Sequence, residues 1–388
     1  MEFDFIVIGA GPIGSYLAKL LAEGGYSVGI FDKKKEIGER IVCSGIIGIN
    51  PYSQFDLPKD AVINEISAIK ILSPSLIEFQ YSQDSPFAYV TDRKTIDKAL
   101  FSRAQKEGVE PFLENMVIDL DHEKDRVCVK YLKKGNIKKE SARCVIITTG
   151  TNFTLHRKVG LVPPKRLLWG RRIEFDQKCD GPVEIYILNS PYLGAFGWVI
   201  PLENQTRIGV LSERNDGRVL HDLIRKNNGR FNIPEGRIDK APIVCGDSKK
   251  MVSDRAIVVG EAAGQVKTTT GGGIHYGLIG ASIANRVLLK AARANDFSRD
   301  FLLEYEKLWR NKMGKEIKSG IILRNLISKI SPSKVDKVFN HLKNTPSIND
   351  KIKENFSFDY HKGIIELGMD LLLGRSKKRC SKLFSKFL

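Results

Sequence analysis

The sequence predicts a composite α/β fold: a Rossmann-like domain is interrupted by an antiparallel-sheet domain and followed by a helical region. Short apolar runs such as residues 4–8 (DFIVI) and 27–31 (SVGIF) are typical of buried parallel strands when a helical pattern separates them. Alternating patterns such as residues 171–175 (RRIEF) and 183–188 (VEIYIL) favour antiparallel strands. From about Phe297 the pattern becomes helical and basic.

The elements follow one another in a simple order. Residues 4–8, 14–22 and 27–31 predict a βαβ unit at the start of the chain. Alternating residues between 63 and 81 and between 171 and 211 predict antiparallel strands. Further buried strands are expected at residues 143–149 and 255–259, and a long helix at residues 274–292.

This order predicts three structural regions in the 388 residues. The discontinuous nucleotide-binding domain is predicted at residues 1–60, 85–160 and 250–295, the antiparallel-sheet domain at 61–84 and 161–249, and the basic helical region at 296–388. Hydrophobic residues make up 42% of the chain and charged residues 28%, so a normal core can form and a disordered chain is excluded.

The net charge favours an anionic partner. Lys and Arg number 62 against 45 Asp and Glu, a formal charge of +17 that suits nucleic acid, a phosphorylated ligand or an anionic membrane. The six cysteines form no CxxC pair and none has a histidine at metal-ligand spacing, so no metal site is predicted. We expect a reducing, cytoplasmic location, because the chain also opens on a strand-like segment rather than a signal peptide. No transmembrane helix is expected.

A dinucleotide-binding pattern joins the first strand to the first helix. Gly9 allows the tight turn, Gly11 lets the backbone approach a pyrophosphate, and Gly14 permits close helix–strand packing. Ile13 lies in the same turn, and Asp32 ends the second strand, where an acid can accept hydrogen bonds from a ribose. We assign all five to cofactor binding, although this pattern alone does not separate FAD from NAD.

A second glycine motif lies near residue 260. Residues 258–264 (VVGEAAG) follow a strand, and residues 270–274 (TGGGI) open a helix. Together they resemble the second flavin motif of the geranylgeranyl reductase family, which has the hydroxylase-like flavoprotein fold. The resemblance implies FAD as the cofactor. It places Glu261 at the flavin ribitol and Gly273 and Ile274 beside the isoalloxazine ring.

Two more segments fit the cofactor site of the same family. Residues 40–45 (RIVCSG) resemble its cysteine–glycine loop beside the flavin, which implies cofactor contacts for Cys43, Ser44 and Gly45 and makes Cys43 the candidate catalytic residue. Residues 91–100 resemble its Asp-Arg…Asp…Leu segment, whose arginine, here Arg93, binds the cofactor. We also assign Val117 to the cofactor-binding residues.

The substrate site is expected on the antiparallel sheet. Residues 196–201 (FGWVIP) resemble the family segment that lines the isoprenoid site, which implies lining roles for Phe196 and Trp198. Ordinary packing is the alternative for Trp198 and for Cys43, and a surface helix-cap charge is the alternative for Arg93. His275 and Tyr276 follow the glycine turn and suit either proton donation or core packing, so they are left out of the catalytic set.

The resemblance implies an FAD-dependent oxidoreductase acting on CH–CH groups. It would saturate the geranylgeranyl double bonds of a lipid, an archaeal-type ether phospholipid in particular, by hydride transfer from reduced flavin. The electron donor is open between ferredoxin, a nicotinamide and a deazaflavin. The alternatives are a flavin monooxygenase or halogenase on the same scaffold and an electron-transfer flavoprotein-like oxidoreductase. No nucleic-acid partner is expected, because no helix-turn-helix, RNA-binding aromatic pair or zinc pattern occurs.

The C-terminal tail has the strongest positive charge. Residues 315–388 contain 16 Lys and Arg against 7 Asp and Glu, and residues 375–388 contain six basic residues and no acid. Apolar residues recur at helical spacing opposite the lysines of the last segment, namely Cys380, Leu383, Phe384, Phe387 and Leu388. This predicts a basic amphipathic helix that holds the protein peripherally at the inner face of the membrane. A solvated or disordered terminus is the alternative.

Overall fold

The structure is a computed structural model that describes residues 2–188, 191–192, 194–227, 229–231, 238–345 and 347–373. In chain order its strands are β1 (Glu2–Ile8), β2 (Val28–Phe31), β3 (Ile46–Gly48), β4 (Val62–Ile66), β5 (Ala68–Leu72), β6 (Glu78–Ser82), β7 (Ala88–Thr91), β8 (Glu110–Phe112), β9 (Met116–His122), β10 (Val127–Lys133), β11 (Asn136–Ile147), β12 (Leu167–Phe175), β13 (Val183–Ile187), β14 (Phe196–Pro201), β15 (Thr206–Ser212), β16 (Asp239–Val244), β17 (Val252–Ser253) and β18 (Ala256–Val258). Its α-helices are α1 (Pro12–Glu23), α2 (Asn50–Gln54), α3 (Arg93–Lys106), α4 (Arg218–Lys226), α5 (Ile274–Ala294), α6 (Arg299–Ile327), α7 (Pro332–Lys343), α8 (Ser347–Asn355) and α9 (Lys362–Leu373).

The first sheet is built around β1. Strand β1 pairs in parallel with β2 and β11, and the parallel set extends to β8 on one side and β18 on the other. Residues 5–8 and 144–147 are buried, which explains why these strands consist of continuous apolar runs. The prediction of a Rossmann-like domain is confirmed.

Strand β11 has two partners along its length. Its first half pairs antiparallel with β10, which in turn pairs with β9, and its second half pairs in parallel with β1. Helices α1, α5 and α6 bury their apolar faces in the core of this domain. The large side chains that these helices bury there include Leu17, Tyr276, Tyr305 and Trp309.

The second sheet has seven strands in the order β16-β12-β15-β14-β13-β5-β6. All its pairings are antiparallel except that of β13 with β5. Strands β5 and β6 thus join this sheet from an earlier part of the chain, as the antiparallel patterns predict. Strand β4 pairs instead with β7 in a three-stranded sheet, although it lies in the segment 61–84 that we assigned to the antiparallel-sheet domain. The domain boundaries themselves stay a prediction.

The seven-stranded sheet buries both faces. On one face Ile173, Val199 and Val210 pack with Leu220 and Leu223 of α4. The other face packs against the C-terminal helical region. Its apolar members are Leu168, Trp198, Ile200 and Leu211 from the sheet, and Ile352, Phe356, Phe358 and Leu367 from the C-terminal region. The side chains of a strand alternate between faces, so one strand serves both clusters.

The C-terminal region is fixed to the sheet by polar contacts as well. The carboxylate of Asp336 on α7 accepts hydrogen bonds from the hydroxyls of Ser73 and Ser75, in the turn after β5. Arg324 on α6 donates to the carbonyls of Thr268 and Thr269. The helical C-terminal region that the sequence predicts therefore covers the sheet and reaches the second glycine motif. Across the described ranges no helix is both long and apolar enough to cross a membrane.

Candidate active site

Glycine is present for different reasons at the three positions after β1. Gly9 has a φ of +111°, and a Cβ there would lie 2.5 Å from the Thr148 carbonyl oxygen. A Cβ on Gly14 would overlap the Gly9 carbonyl oxygen. A Cβ on Gly11 would meet no atom within 4 Å, and its φ of −68° suits any residue. Packing therefore explains Gly9 and Gly14, whereas Gly11 borders open space of the kind that a pyrophosphate would need.

The N-terminus of α1 opens onto the same space. No side chain caps this helix, and no acidic residue lies in its first turn, so its N–H groups and positive dipole end are available to an anion. The turn is held from behind by Asp32, whose Oδ2 accepts a hydrogen bond from the Ala10 N–H at 2.9 Å and whose Oδ1 accepts one from Lys34 N–H at 2.9 Å. The ribose role of Asp32 stays a prediction; what the structure adds is its support of the glycine turn.

The two glycine motifs meet at Ile13. A Cβ on Gly277 of α5 would lie 2.6 Å from the Ile13 side chain, and one on Gly260 would lie 3.1 Å from it. The Ile13 side chain is buried, so it packs between the motifs and any cofactor contact would come from its backbone. This packing brings the start of α1 close to the start of α5.

The carboxyl group of Glu261 lies at the end of β18. Glu261 itself is part of a single 3-10 turn, Gly260–Ala263. The glycines on either side of residues 261–263, Gly260 and Gly264, have φ values of +73° and +79°. The Oε1 of Glu261 accepts a hydrogen bond from Val244 N–H at 3.3 Å, and its Oε2 faces Gly150. Burial raises the pKa of Glu261 to about 7. A carboxyl group poised in this way suits a hydrogen bond to a ligand hydroxyl.

The glycine loop, residues 267–273, leads into α5. The loop is closed by hydrogen bonds from Lys267 N–H to the Gly272 carbonyl and from Gly271 N–H to the Lys267 carbonyl. Gly271 has a φ of +77° and packs on the sheet, where a Cβ would lie 3.2 Å from Leu211. Gly273 is the N-cap and offers no side chain, so the 21-residue helix that Ile274 begins presents an uncapped N-terminus. Such an end stabilises negative charge.

The Cys43 loop, residues 40–45, is held by two arginines of the antiparallel sheet. Arg172 on β12 donates to the carbonyls of Cys43, at 2.8 Å, and Ile41, at 3.1 Å. Arg207 on β15 donates to the Ser44 carbonyl at 2.6 Å. Sequence reasoning missed both arginines; the available signal was a basic residue within a strand rich in apolar residues. They fix the loop against the seven-stranded sheet.

Arg93 reaches the same loop from α3. Its Nη2 pairs with Asp97 Oδ1 at 2.9 Å, and its Nη1 donates to Cys43 Sγ at 3.5 Å. The guanidinium is buried, and its Nε has no hydrogen-bond partner among the described residues. The structure thus excludes a surface helix-cap role, because the N-cap is Asp92. Whether Arg93 also touches the cofactor stays a prediction.

Phe196 and Trp198 lie on β14, with ring centroids 5.7 Å apart, on the sheet face that the C-terminal region covers. The Trp198 indole packs closely over Gly209 on the neighbouring strand, where no Cβ would fit, and its Nε1 has no partner among the described residues. One edge of the Trp198 ring is therefore packed within the core of the sheet. Its role in lining a substrate site stays a prediction. Val117 is partly buried on β9, packed against the core of the first domain. No group of three metal-ligating side chains occurs in the part of the chain that the structure describes.

Known proteins resemble this chain along most of its length. The family profile "Glucose inhibited division protein A" matches residues 4–166. Digeranylgeranylglycerophospholipid reductase 2 of Methanopyrus kandleri is 31% identical over 352 residues, which cover 85% of this chain and 88% of that protein. Digeranylgeranylglycerophospholipid reductase of Methanocaldococcus jannaschii is 29% identical over 358 residues, which cover 86% of this chain and 89% of that protein. The chain belongs to the geranylgeranyl reductase family of these proteins.

Solved structures of related fold agree with the fold class. A geranylgeranyl bacteriochlorophyll reductase-like protein from Thermoplasma acidophilum superposes with a TM-score of 0.83 at 21% identity, covering 95% of this chain and 99% of the other. The flavin-dependent brominase Bmp2 superposes with a TM-score of 0.69 at 16% identity, covering 91% and 92%. The geranylgeranyl reductase family thus shares its scaffold with flavin-dependent halogenases, and the predicted hydroxylase-like flavoprotein fold is confirmed.

The first prediction separates the two kinds of glycine. Gly11→Val should abolish flavin binding and leave the flavin-free protein as stable as the wild type, because its side chain enters open space. Gly14→Ala should instead destabilise the protein by about 2 kcal/mol or more, because its Cβ overlaps a backbone oxygen. Flavin absorbance and thermal unfolding of both variants check this. Normal flavin content in Gly11→Val would contradict the assignment of the pyrophosphate site.

The second prediction concerns pH. The pKa of Glu261 is raised from 4.5 to about 7 on folding, so between these values the folded chain binds more protons than the unfolded chain. The flavin-free protein should therefore lose stability as pH rises through this window, by at most about 3 kcal/mol from this group. Glu261→Gln should remove that loss. Chemical denaturation at pH 5 and pH 8 measures the free energy of unfolding of both proteins. Burial also raises the pKa of Asp247 to about 7, but this residue is present in both proteins, so its contribution cancels when the two are compared. Equal pH dependence in both proteins would show that Glu261 is not desolvated.

Proposed function

We propose that this protein is an FAD-dependent reductase that saturates the geranylgeranyl double bonds of a lipid, with an archaeal-type ether phospholipid as substrate. The observation that carries the proposal is the meeting of two uncapped helix N-termini, of α1 and α5, at Ile13. A relative that aligns along 85% of this chain is a digeranylgeranylglycerophospholipid reductase, which supports the same reaction.

The residues present fit FAD. The space beside Gly11 and the N-terminus of α1 would take the pyrophosphate, and the Glu261 carboxyl would hydrogen-bond the ribitol. Gly273 and Ile274, at the N-terminus of α5, would stabilise negative charge on the ring. When bound, FAD supplies the hydride that the reaction requires.

The rest of the site must handle an apolar substrate. Saturation of an isolated double bond adds one hydride and one proton to neighbouring carbons. An isoprenoid chain binds because its apolar surface and that of the protein are both removed from water. The face that Trp198, Ile200 and Leu211 share with Phe356 and Phe358 offers an apolar wall beside the glycine loop. We propose that the isoprenoid chain lies at the edge of this wall that borders the glycine loop, where the apolar side chains would exclude water.

A flavin-dependent halogenase is the second candidate, since brominase Bmp2 shares the scaffold. The segment 197–201 (GWVIP) is common to both hypotheses, and Phe196 stands where a halogenase signature has tryptophan. The electron donor, whether ferredoxin, a nicotinamide or a deazaflavin, is a separate question. Product analysis with and without oxygen discriminates the two reactions.

The third prediction tests the activity itself. Flavin-loaded protein, photoreduced without oxygen and mixed with geranylgeranyl lipids, should raise the lipid mass by two units for each double bond reduced. Mass spectrometry of the extracted lipid measures the gain, with Gly11→Val as the control that lacks flavin. An unchanged lipid mass, or a product that forms only with oxygen and halide, would contradict the reductase proposal.

The fourth prediction concerns Cys43. We propose that its thiol lies beside the flavin, because the loop that carries it is fixed by Arg93, Arg172 and Arg207. Cys43→Ala should keep FAD and change the turnover or the number of bonds reduced, since it alters the wall of the site more than the fold. Cys43→Ser retains the size of the side chain and serves as the matched comparison. Unchanged rates and product patterns in both variants would return Cys43 to a packing role.

The fifth prediction concerns the tail. The proposed basic amphipathic helix, residues 375–388, lies outside the described residues. We infer peripheral binding at the inner face of the membrane from its sequence: a lipid substrate requires such contact, and each of its six basic residues contributes about 1 kcal/mol near an anionic surface.

Liposome co-sedimentation checks this binding for the full chain and for a chain that ends at Gly374. The full chain should bind anionic vesicles, and less so at high salt because the attraction is screened. The shortened chain should bind more weakly. Equal binding by both chains, or a preference for neutral lipid, would disprove the role of the tail.

A further inference from the structure

A charged cluster is buried where the C-terminal region meets the glycine loop. Lys267 Nζ lies 3.7 Å from Asp359 Oδ1 and donates a hydrogen bond to the Phe358 carbonyl at 2.6 Å. His275 Nδ1 lies 3.3 Å from the same Asp359 oxygen. The three side chains are only 7%, 2% and 3% exposed. One carboxylate thus serves an ammonium and an imidazole in a site that water does not reach.

The cluster lies between the glycine loop and β3, the strand that follows the Cys43 loop. Lys267 closes the glycine loop through its backbone, and His275 is the second residue of α5. The Asp359 carboxylate packs directly on Gly48 of β3, where no Cβ would fit, three residues after the Cys43 loop. Asp359 therefore joins the glycine loop to the strand that continues from the Cys43 loop.

The polar groups of the cluster are not fully paired. Neither ring nitrogen of His275, nor Oδ1 of Asp359, has a well-aligned hydrogen bond among the described residues. Burial lowers the pKa of Lys267 to about 8, which leaves the amine charged at neutral pH. Burial also opposes ionisation of Asp359, but His275 and Lys267 outweigh it and hold the pKa of the carboxyl below its usual range. An incompletely paired buried ion pair contributes little to stability, so a role in function is the better explanation.

We propose that the Lys267–Asp359 pair, with His275 beside it, sets the reduction potential of the flavin. This inference rests on the proposed function, which places FAD at the glycine loop. Two-electron reduction gives the ring a negative charge at neutral pH. In a buried site the ammonium of Lys267 stabilises that charge and the carboxylate of Asp359 opposes it, because Coulomb energies are larger at low dielectric than in water. Glu316 also acts on Lys267, and its negative charge is the same in every variant below, so the balance between Lys267 and Asp359 changes how readily the flavin accepts electrons.

The test removes each charge separately in the flavin-loaded, full-length protein. Lys267→Met should lower the midpoint potential, and the nearly isosteric Asp359→Asn should raise it. Each should change the ratio of reduced to oxidised flavin at least tenfold, which is about 30 mV for a two-electron couple. Lys267→Arg keeps the charge and should stay near the wild-type potential. An anaerobic titration against reference dyes, without lipid, measures all four proteins.

A matched control separates charge from loss of stability. Glu306 on α6 is also a buried carboxylate: it accepts hydrogen bonds from the backbone N–H groups of Met251 and Val252 and pairs with Arg310 at 2.6 Å. Glu306→Gln should lower the unfolding temperature and leave the potential unchanged, because none of these contacts involves the glycine loop. If it shifts the potential as far as Asp359→Asn does, or if the two cluster variants shift it in the same direction or not at all, the proposal is overturned.

The proposed function and this inference fail in different experiments. Opposite shifts in potential support the inference even if no lipid is reduced. Conversely, lipid reduction by wild-type protein together with unchanged potentials overturns the inference and leaves the function standing. If Lys267→Met does not fold, Asp359→Asn with Glu306→Gln decides the result, since the asparagine variant changes the charge and retains the shape.

Discussion

The close packing of Ile13 against Gly260 and Gly277 is the contact on which the arrangement of the site depends. Parallel strands β1 and β18 end at the same edge of the sheet, with β11 between them, so the loops that follow emerge side by side. Only glycine at both positions lets α5 and the 3-10 turn approach α1 closely enough. The consequence is that two helix N-termini, separated by some 260 residues in the sequence, lie close together.

The antiparallel sheet and the C-terminal region supply the other contacts around these helix ends. Arg172 and Arg207 extend from the sheet to the carbonyls of the Cys43 loop, and Leu211 packs on Gly271. Asp359, from the C-terminal region, contacts Lys267 and Gly48. The charges of Arg207, Lys267 and Asp359 are buried and that of Arg172 is partly buried, so each depends on a partner from another part of the fold. The site therefore requires all three regions in place together, which fits a protein that must exclude water around an apolar substrate.

Membership of the geranylgeranyl reductase family and the shape of the site support one another without being the same finding. Sequence identity near 30% over most of the chain places the protein in the family. The same scaffold also carries halogenases, so the fold alone leaves the reaction open. The features that bear on the reaction are local: an apolar wall beside the glycine loop, a cysteine loop fixed by arginines, and a charged cluster next to the glycine loop.

The sequence by itself determined the Rossmann-like core, the antiparallel sheet, the helical C-terminal region and both glycine motifs. It could do so because these features are local: apolar runs, strict alternation and glycines at turns depend on neighbours a few residues apart. It also predicted the flavin-site residues as a set, through a resemblance between short motifs. Only the tertiary structure decided that Asp32 supports the glycine turn, that Ile13 joins the two motifs, and that Arg172, Arg207 and Asp359 belong to the site. The residues that these three side chains contact at the site lie between 84 and 311 positions away along the chain. Which charged side chain reaches which loop follows from sheet pairing and burial, and no local pattern records either.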